Sequence, residues 1–479
     1  MTGNTPSDAR RPAVQRAGAA DFRPSSFLAS ALFTLGTQIA VAGLSLVNVV
    51  IVARTLGPAG RGQVALLMTI AYLSSQMALF GVEQANVNLA SIRPQSRPAL
   101  ATNSLVLAVV FGVFAIGFVA GLIAIFPAVG GGLGSSLRWV SLASIPFLIL
   151  QTYLLLLVRS GYRFAFANAG YMAVPIVNVG VNGVLAALGA ISVGTAFAGW
   201  LGGQALGTLI FAWCVQYRIG GFGRPDLRLA RETVAFGLKA QGGRIMMLGN
   251  YRFDQWLVGA ISGARELGLY SVAVAWAEAL FHLPTALAAV QRPDLVRASS
   301  RETARQTGLV FRAAVLITLP LAVAIVAAAP LLCVTIFGED FRGSVTELRV
   351  LAAGAFGILA VKLLGNALTA QGKPVLETAA IGSAFTATVV LDVLLIPPHG
   401  GLGAAVASSV AYTAGGVAVA LLFRRAFGDR LSNLVPRRGD PAAFWEGARG
   451  ALRRGAPAEK PALVATTLSD SADGTYPPN

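Results

Sequence analysis

The sequence predicts an all-α polytopic membrane protein, with about twelve transmembrane helices in two pseudo-symmetric six-helix lobes. Three observations lead there: apolar runs of bilayer length, a one-sided placement of cations, and an internal echo of glycine motifs. Of 479 residues, 55% are hydrophobic and only 12% charged, where a soluble domain carries about 25% charged residues. Mean hydropathy is +0.68. The 54 glycines suit helices that must approach closely in lipid. The net charge of +16 therefore reads as membrane topology and excludes nucleic acid as the partner it would otherwise suggest. Cys214 and Cys333 each sit in an apolar run and read as buried thiols without a disulfide framework.

In chain order, residues 1–26 form a polar, basic segment, predicted to be a disordered cytoplasmic tail. It lacks the pattern of a cleavable signal, and the first apolar run is long enough to span. Spans of about 20 or more apolar residues follow near 27–53, 63–89, 101–127, 137–158, 165–188, 192–215, 236–263, 267–290, 309–336, 347–369, 376–397 and 402–423. They group into an N-terminal lobe (27–215), a cytoplasmic loop (216–235) and a C-terminal lobe (236–425). Residues 426–479 return to soluble composition and read as a cytoplasmic tail. Asp440 and Pro441 suit the N-cap and first position of a short helix. Phe444, Trp445, Ala448 and Leu452 would share its face. Two readings stand, an interfacial helix or a solvated tail, with disorder from Pro457 onward.

Cation placement tests the count. With the N-terminus cytoplasmic, the inside loops and first tail hold nineteen Lys and Arg, against six in the outside loops. The positive-inside rule then puts both termini in the cytoplasm of a cell inner membrane. No outside loop is long enough for a catalytic domain. The echo is also specific in position. Gly57 and Gly62 recur as Gly263 and Gly268, at one offset of 206 residues. Asn182 before Gly194 is matched by Asp392 before Gly403. Two halves in the same orientation would be related by an axis along the membrane normal.

The stretch 233–264 concentrates the chemistry. It is apolar enough for a bilayer yet holds Lys239, Gln241, Arg244, Asn250, Arg252, Asp254 and Gln255. At about 100° per residue, Gln241, Arg244, Arg252 and Gln255 share one helical face. A charge at the centre of a membrane helix costs roughly 2.5–3.5 kcal/mol or more, so such a stripe faces a cavity or a partner. Two guanidinium groups there can grip a phosphate or diphosphate by paired hydrogen bonds; alternatively, Arg244 snorkels to the surface. Lys362 is a second intramembrane cation, with Asn366 one turn on. It either lines the cavity or pairs with an acid such as Asp254. Asp254 points to a different face from Arg252 and is expected to bond a neighbouring helix. Glu278 and His282 stand one turn apart before Pro284. They read either as an ion-coupling pair, with Asp254 as a third candidate, or as an interhelical hydrogen bond. No metal-ligand cluster and no phosphate-binding loop ending in Lys-Ser or Lys-Thr is present. No cofactor and no enzymatic activity is therefore expected, and transport would draw on an ion gradient, the membrane potential or substrate turnover.

Four segments carry a family resemblance: LGPAGRGQ (56–63) running into FGVEQANVNLAS (80–91), FDQWLVGAISGARELGLYSVAVAWAEAL (253–280), LLCVTIFGEDF (331–341) and GGLGAAVASSVAY (400–412). In order and spacing, across roughly residues 27–425, they resemble the oligosaccharide-lipid flippase branch of the multidrug/oligosaccharidyl-lipid/polysaccharide exporter superfamily. The resemblance implies two lobes around a central cavity, alternating access, and a polyprenyl-(di)phosphate-linked oligosaccharide moved from the cytoplasmic to the outer leaflet. It implies cavity cations for the anionic head group, for which Arg252, Arg244 and Lys362 are the positional candidates, with Gln241 and Gln255 beside them. Implied partners are the lipid-linked glycan, membrane lipids, and the glycan polymerase and glycosyltransferases of one surface-polysaccharide pathway. A drug/cation antiporter of the same architecture is the alternative transporter, but the first lobe's spans are nearly acid-free apart from Glu83. A membrane-embedded glycan polymerase or ligase is the alternative from another class, and it would want a long outside loop with Arg and His.

Overall fold

The computed structural model describes residues 24–127, 132–428, 431–437 and 440. The apolar runs all form helices, and among the described residues there is no strand. In order they are α1 (Pro24–Met77), α2 (Val82–Ile92), α3 (Arg97–Ile125), α4 (Ser135–Ala143), α5 (Ile145–Ser160), α6 (Phe164–Ala187) and α7 (Val193–Cys214). Then come α8 (Leu227–Ile261), α9 (Ala264–Arg297), α10 (Ser300–Pro330), α11 (Ser344–Ala370) and α12 (Pro374–Phe427).

Helices α1 and α12 each run 54 residues, about 80 Å at 1.5 Å per residue. That is more than twice the ~30 Å hydrocarbon core. Each is two passes joined at a glycine whose backbone leaves the helical region: Gly57 (φ 66°, ψ −176°) in α1 and Gly400 (φ 57°, ψ −135°) in α12. Among the described residues, nine helical stretches are long and apolar enough to cross a membrane. Counting α1 and α12 as two passes each, and adding α8, whose polar residues keep it outside that group, recovers the twelve expected. This is an integral membrane protein of polytopic, all-α class.

Two passes differ from expectation. The second, expected unbroken over 63–89, stops at Met77 and turns through Phe80 (φ 47°) and Gly81 (φ 69°) before α2 resumes it. The fourth, expected over 137–158, is divided at Ser144 into α4 and α5, with Pro146 in the first turn of α5. Helix α9 continues through Pro284.

The halves meet at both ends of the bundle. At the Gly57 end, the echoed motifs pack on each other. A Cβ on Gly62 would lie 1.6 Å from the Ala264 carbonyl oxygen, and one on Gly268 would lie 1.9 Å from that of Pro58. Pro58 and Ala264 stand at the same offset as the two glycines, so the contact is reciprocal about a pseudo-two-fold axis. Beside it, Arg54 donates from Nε to the Ile336 carbonyl (2.6 Å) and from Nη2 to that of Thr335 (2.5 Å). At the opposite, Arg93 end, a Cβ on Gly81 would lie 2.1 Å from the Gly237 carbonyl oxygen. Arg93 there forms a bidentate pair with Glu232 (2.9 and 2.7 Å). One hydrophobic cluster runs across the seam, from Leu66 and Leu67 of α1 through Val258 of α8 to Leu267 and Tyr270 of α9.

Past α12, the turn Leu431–Leu434 folds back, and Leu434 is buried against Leu295, Ala304 and Phe423. The Asp440 carboxylate accepts from Arg312 Nε (2.8 Å) and from the Arg437 backbone N–H (2.7 Å). The helix expected after it, and the first tail through residue 23, lie outside the described residues.

Candidate substrate and ion sites along α8

The polar stretch folds as α8, capped by Asp226, whose Oδ1 accepts from the N–H groups of Arg228 (2.9 Å) and Leu229 (3.1 Å). It packs against α1, α2, α9 and α12, which gives each polar face its own neighbour. Gln241 donates from Nε2 to the carbonyls of Met77 (2.9 Å) and Gln76 (3.3 Å). Those carbonyls end α1 and have lost their intrahelical partners, so Gln241 closes the break from the other half.

Arg244 donates from Nη1 to Glu83 Oε1 (2.9 Å) and from Nη2 to Gln76 Oε1 (2.6 Å). The arginine side chain is 29% exposed and the glutamate 0%. Arg252, about 12 Å further along the helix, pairs through Nη1 with Glu278 Oε1 (2.7 Å). These pairs amend the expectation of an open cationic stripe. Each guanidinium is matched to an acid, because a bare one in a low-dielectric seam is costly. Both remain partly exposed. Gln255 is buried beside them.

Lys362 lies elsewhere. Its ammonium sits 5.6 Å from the Tyr251 ring centroid, a cation–π contact. It lines a cavity of about 180 Å³ with Asn250, Asn366, Glu377 and Tyr412. None of Gln241, Arg244, Arg252 and Gln255 lines that cavity, so the structure does not bring Lys362 to the arginine pair. Nor does Lys362 pair with Asp254. Asp254 is bound by Tyr270 Oη of α9 (2.5 Å) and Ser408 Oγ of α12 (3.2 Å), both on neighbouring helices.

The ion-coupling candidates also separate. Glu278 turns to Arg252 and not to His282, which is exposed one turn on, because a guanidinium offers the carboxylate a charged, two-pronged donor. A further carboxylate, not among the ion-coupling candidates above, acts on Asp254 through its charge. Asp392 of α12 is fully buried, neither of its carboxylate oxygens has a hydrogen-bond partner, and it interacts electrostatically with Asp254. One turn before it, Thr388 donates to Asn250 Oδ1 (2.7 Å). The signal for Asp392 was the echo itself. In the first half, Asn182 Nδ2 donates to Asn48 Oδ1 (2.7 Å) and Asn178 Oδ1 (3.0 Å). Asn48 precedes Asp254 by 206 residues, and Asn178 and Asn182 precede Thr388 and Asp392 by 210. The same buried position thus holds amides in one half and carboxylates in the other. Amides donate to one another, whereas two carboxylates only accept and repel.

Comparison with known proteins agrees with this architecture. Residues 51–346 match the family model described as polysaccharide biosynthesis protein. Among solved structures, the fold is similar to the lipid II flippase MurJ in its inward closed conformation (TM-score 0.68, 13% identity, covering 84% of this chain and 89% of that one). It is also similar to an inward-facing multidrug resistance MATE family transporter of the MOP superfamily (TM-score 0.63, 16% identity, 80% and 94%). A third likeness is to a MOP superfamily transporter from Pyrococcus furiosus described as having a binding pocket of reverse polarity (TM-score 0.53, 14% identity, 83% and 94%). At these identities the likeness concerns the fold alone. No curated protein matches the sequence.

Proposed function

This chain belongs to the polysaccharide biosynthesis protein family, and from that we propose that it carries a polyprenyl-(di)phosphate-linked oligosaccharide from the cytoplasmic to the outer leaflet by alternating access. The observation that carries the reading is the pair Arg244 and Arg252. Both are partly exposed, Arg244 pairing across the seam with Glu83 of the other half and Arg252 with Glu278 of its own half, and each is held by a carboxylate that a stronger anion can replace. The cation bias assigns the Arg93 end to the cytoplasm of the inner membrane. The glycine contacts at both ends describe a closed form that must open at one end at a time.

Asp254 and Asp392 supply the coupling: they bind a proton or a monovalent cation whose gradient drives the cycle. Lys362 serves as an accessory contact for the head group rather than as part of the arginine pair. Glycosyltransferases would supply the substrate, and a polymerase would consume it. A drug/cation antiporter is disfavoured, because the acids facing the arginines, Glu83 and Glu278, are already covered by them. The test is a leaflet assay in the host. Depletion should trap lipid-linked glycan on the cytoplasmic leaflet. Unchanged glycan lipids with altered sensitivity to cationic drugs would favour the antiporter. Units that reach the outer leaflet unpolymerised would indicate an enzyme.

A further inference from the structure

Glu83 is buried more completely than its partner, and that asymmetry has a chemical consequence. It occupies the first turn of α2, just past the break at Phe80 and Gly81. Its side chain has no exposure. One oxygen accepts from Arg244, while Oε2 is buried without a partner. Among the described residues, the ionisable groups facing it are Arg244 from α8 and Tyr153 from α5. Tyr153 already donates its hydroxyl to the Leu79 carbonyl (2.8 Å). Gln76 of α1 spends its Oε1 on Arg244. Arg244 is therefore the cation that offsets a negative charge on Glu83, and the partial charge of the first turn of α2 is too small to replace a guanidinium.

We infer that the anionic head group and Glu83 compete for Arg244, and that Glu83 binds a proton each time it loses. The inference rests on the lipid-phosphate reading above and adds a proton to it. Arg244 can be reached from the seam, since its side chain is 29% exposed. Its planar fork carries five donors, and a diphosphate offers it more charge and more acceptors than one carboxylate. Once the fork turns away, Glu83 is a buried carboxylate with no counter-ion, and such a group neutralises rather than persist as an ion. An O–H bond forms on the carboxylate. The proton comes from a hydronium ion or buffer acid on the cytoplasmic side, and no other covalent bond changes. The exchange also cuts the tie between α2 and α8, beside the Gly81–Gly237 contact. Loading thus lowers by one the negative charge that the loaded carrier holds.

Calorimetric titration of the full-length protein in nanodiscs tests this, with geranyl diphosphate as probe and buffers of different protonation enthalpy. The wild type should take up about one more proton per bound ligand than Glu83→Gln; the ligand's own ionisation cancels in that difference. The variant should bind roughly tenfold tighter, because the competing charge is gone. Equal proton counts in the two proteins would overturn the inference alone. Failure of the wild type to bind geranyl diphosphate would overturn the lipid-phosphate reading with it. If Glu83→Gln does not fold, the wild type still decides. Its ligand-induced infrared difference spectrum must show a new protonated-carboxyl band, and its absence refutes the exchange.

Discussion

One added methyl group at Gly62 or Gly268 should part the two halves of the bundle at the Gly57 end. A Cβ on Gly62 meets the Ala264 carbonyl oxygen at 1.6 Å and the Gly268 nitrogen at 2.9 Å, where ordinary contact begins near 3.4 Å. On Gly268 the obstacle is the Pro58 carbonyl oxygen at 1.9 Å. These are backbone atoms, so no rotamer change can make room. Helices α1 and α9 must separate locally by roughly 1.5 Å or more. Overpacking of this kind costs about 1–3 kcal/mol. On the alternating-access reading proposed above, only the closed form has the contact, so the cost moves the population by a factor of roughly 5–150 toward forms open at this end. The assay is pulsed electron paramagnetic resonance between spin labels at Thr55 and Asp340, both exposed and flanking the Arg54 contact, with Cys214 and Cys333 replaced by alanine. Gly62→Ala and Gly268→Ala should each shift the distance distribution outward. Gly117→Ala, whose Cβ would meet nothing within 4 Å, should leave it unchanged. Distributions for both seam variants that superpose on the wild type would refute the gate.

Arg252→Ala should reduce transport to background while the protein stays in the membrane. Arg252→Lys should keep a part, since charge survives but the bidentate fork does not; a leaflet assay of lipid-linked glycan reads both, and normal transport by the alanine variant would sink the assignment. Replacing choline by sodium, or lowering pH, should raise the unfolding temperature of the wild type, since a ligand at a hundredfold excess over its Kd adds about 2.7 kcal/mol. Asp392→Asn should lose that response, because an amide can donate to Asp254 as Asn182 donates to Asn48 in the other half; an undiminished response would place the coupling ion elsewhere.

Much of the fold was legible because its causes are local. A run of some twenty apolar residues must span, whatever surrounds it. The same argument picked out α8 as the polar exception and predicted that Asp254 would bond a neighbouring helix. The breaks were harder. Phe80 and Gly81 lie inside an apolar run, and nothing in its hydropathy marks where the helix stops. The site was legible as a set of residue types and not as a set of partners.

The sequence by itself determined the class of solvent, the number of passes, the duplication, and the presence of charge on one intramembrane helix. Hydropathy and period are properties of a single segment, and no neighbour can cancel them. The tertiary structure alone decided which acid each cation meets. Arg244 and Glu83 lie 161 residues apart and Asp254 and Ser408 lie 154 apart. A buried charge takes the partner whose geometry best offsets its desolvation. That choice depends on how helices distant in sequence pack together, and so Arg244 of one half went to Glu83 of the other, while within the C-terminal half Lys362 went to an aromatic face and Glu278 to Arg252.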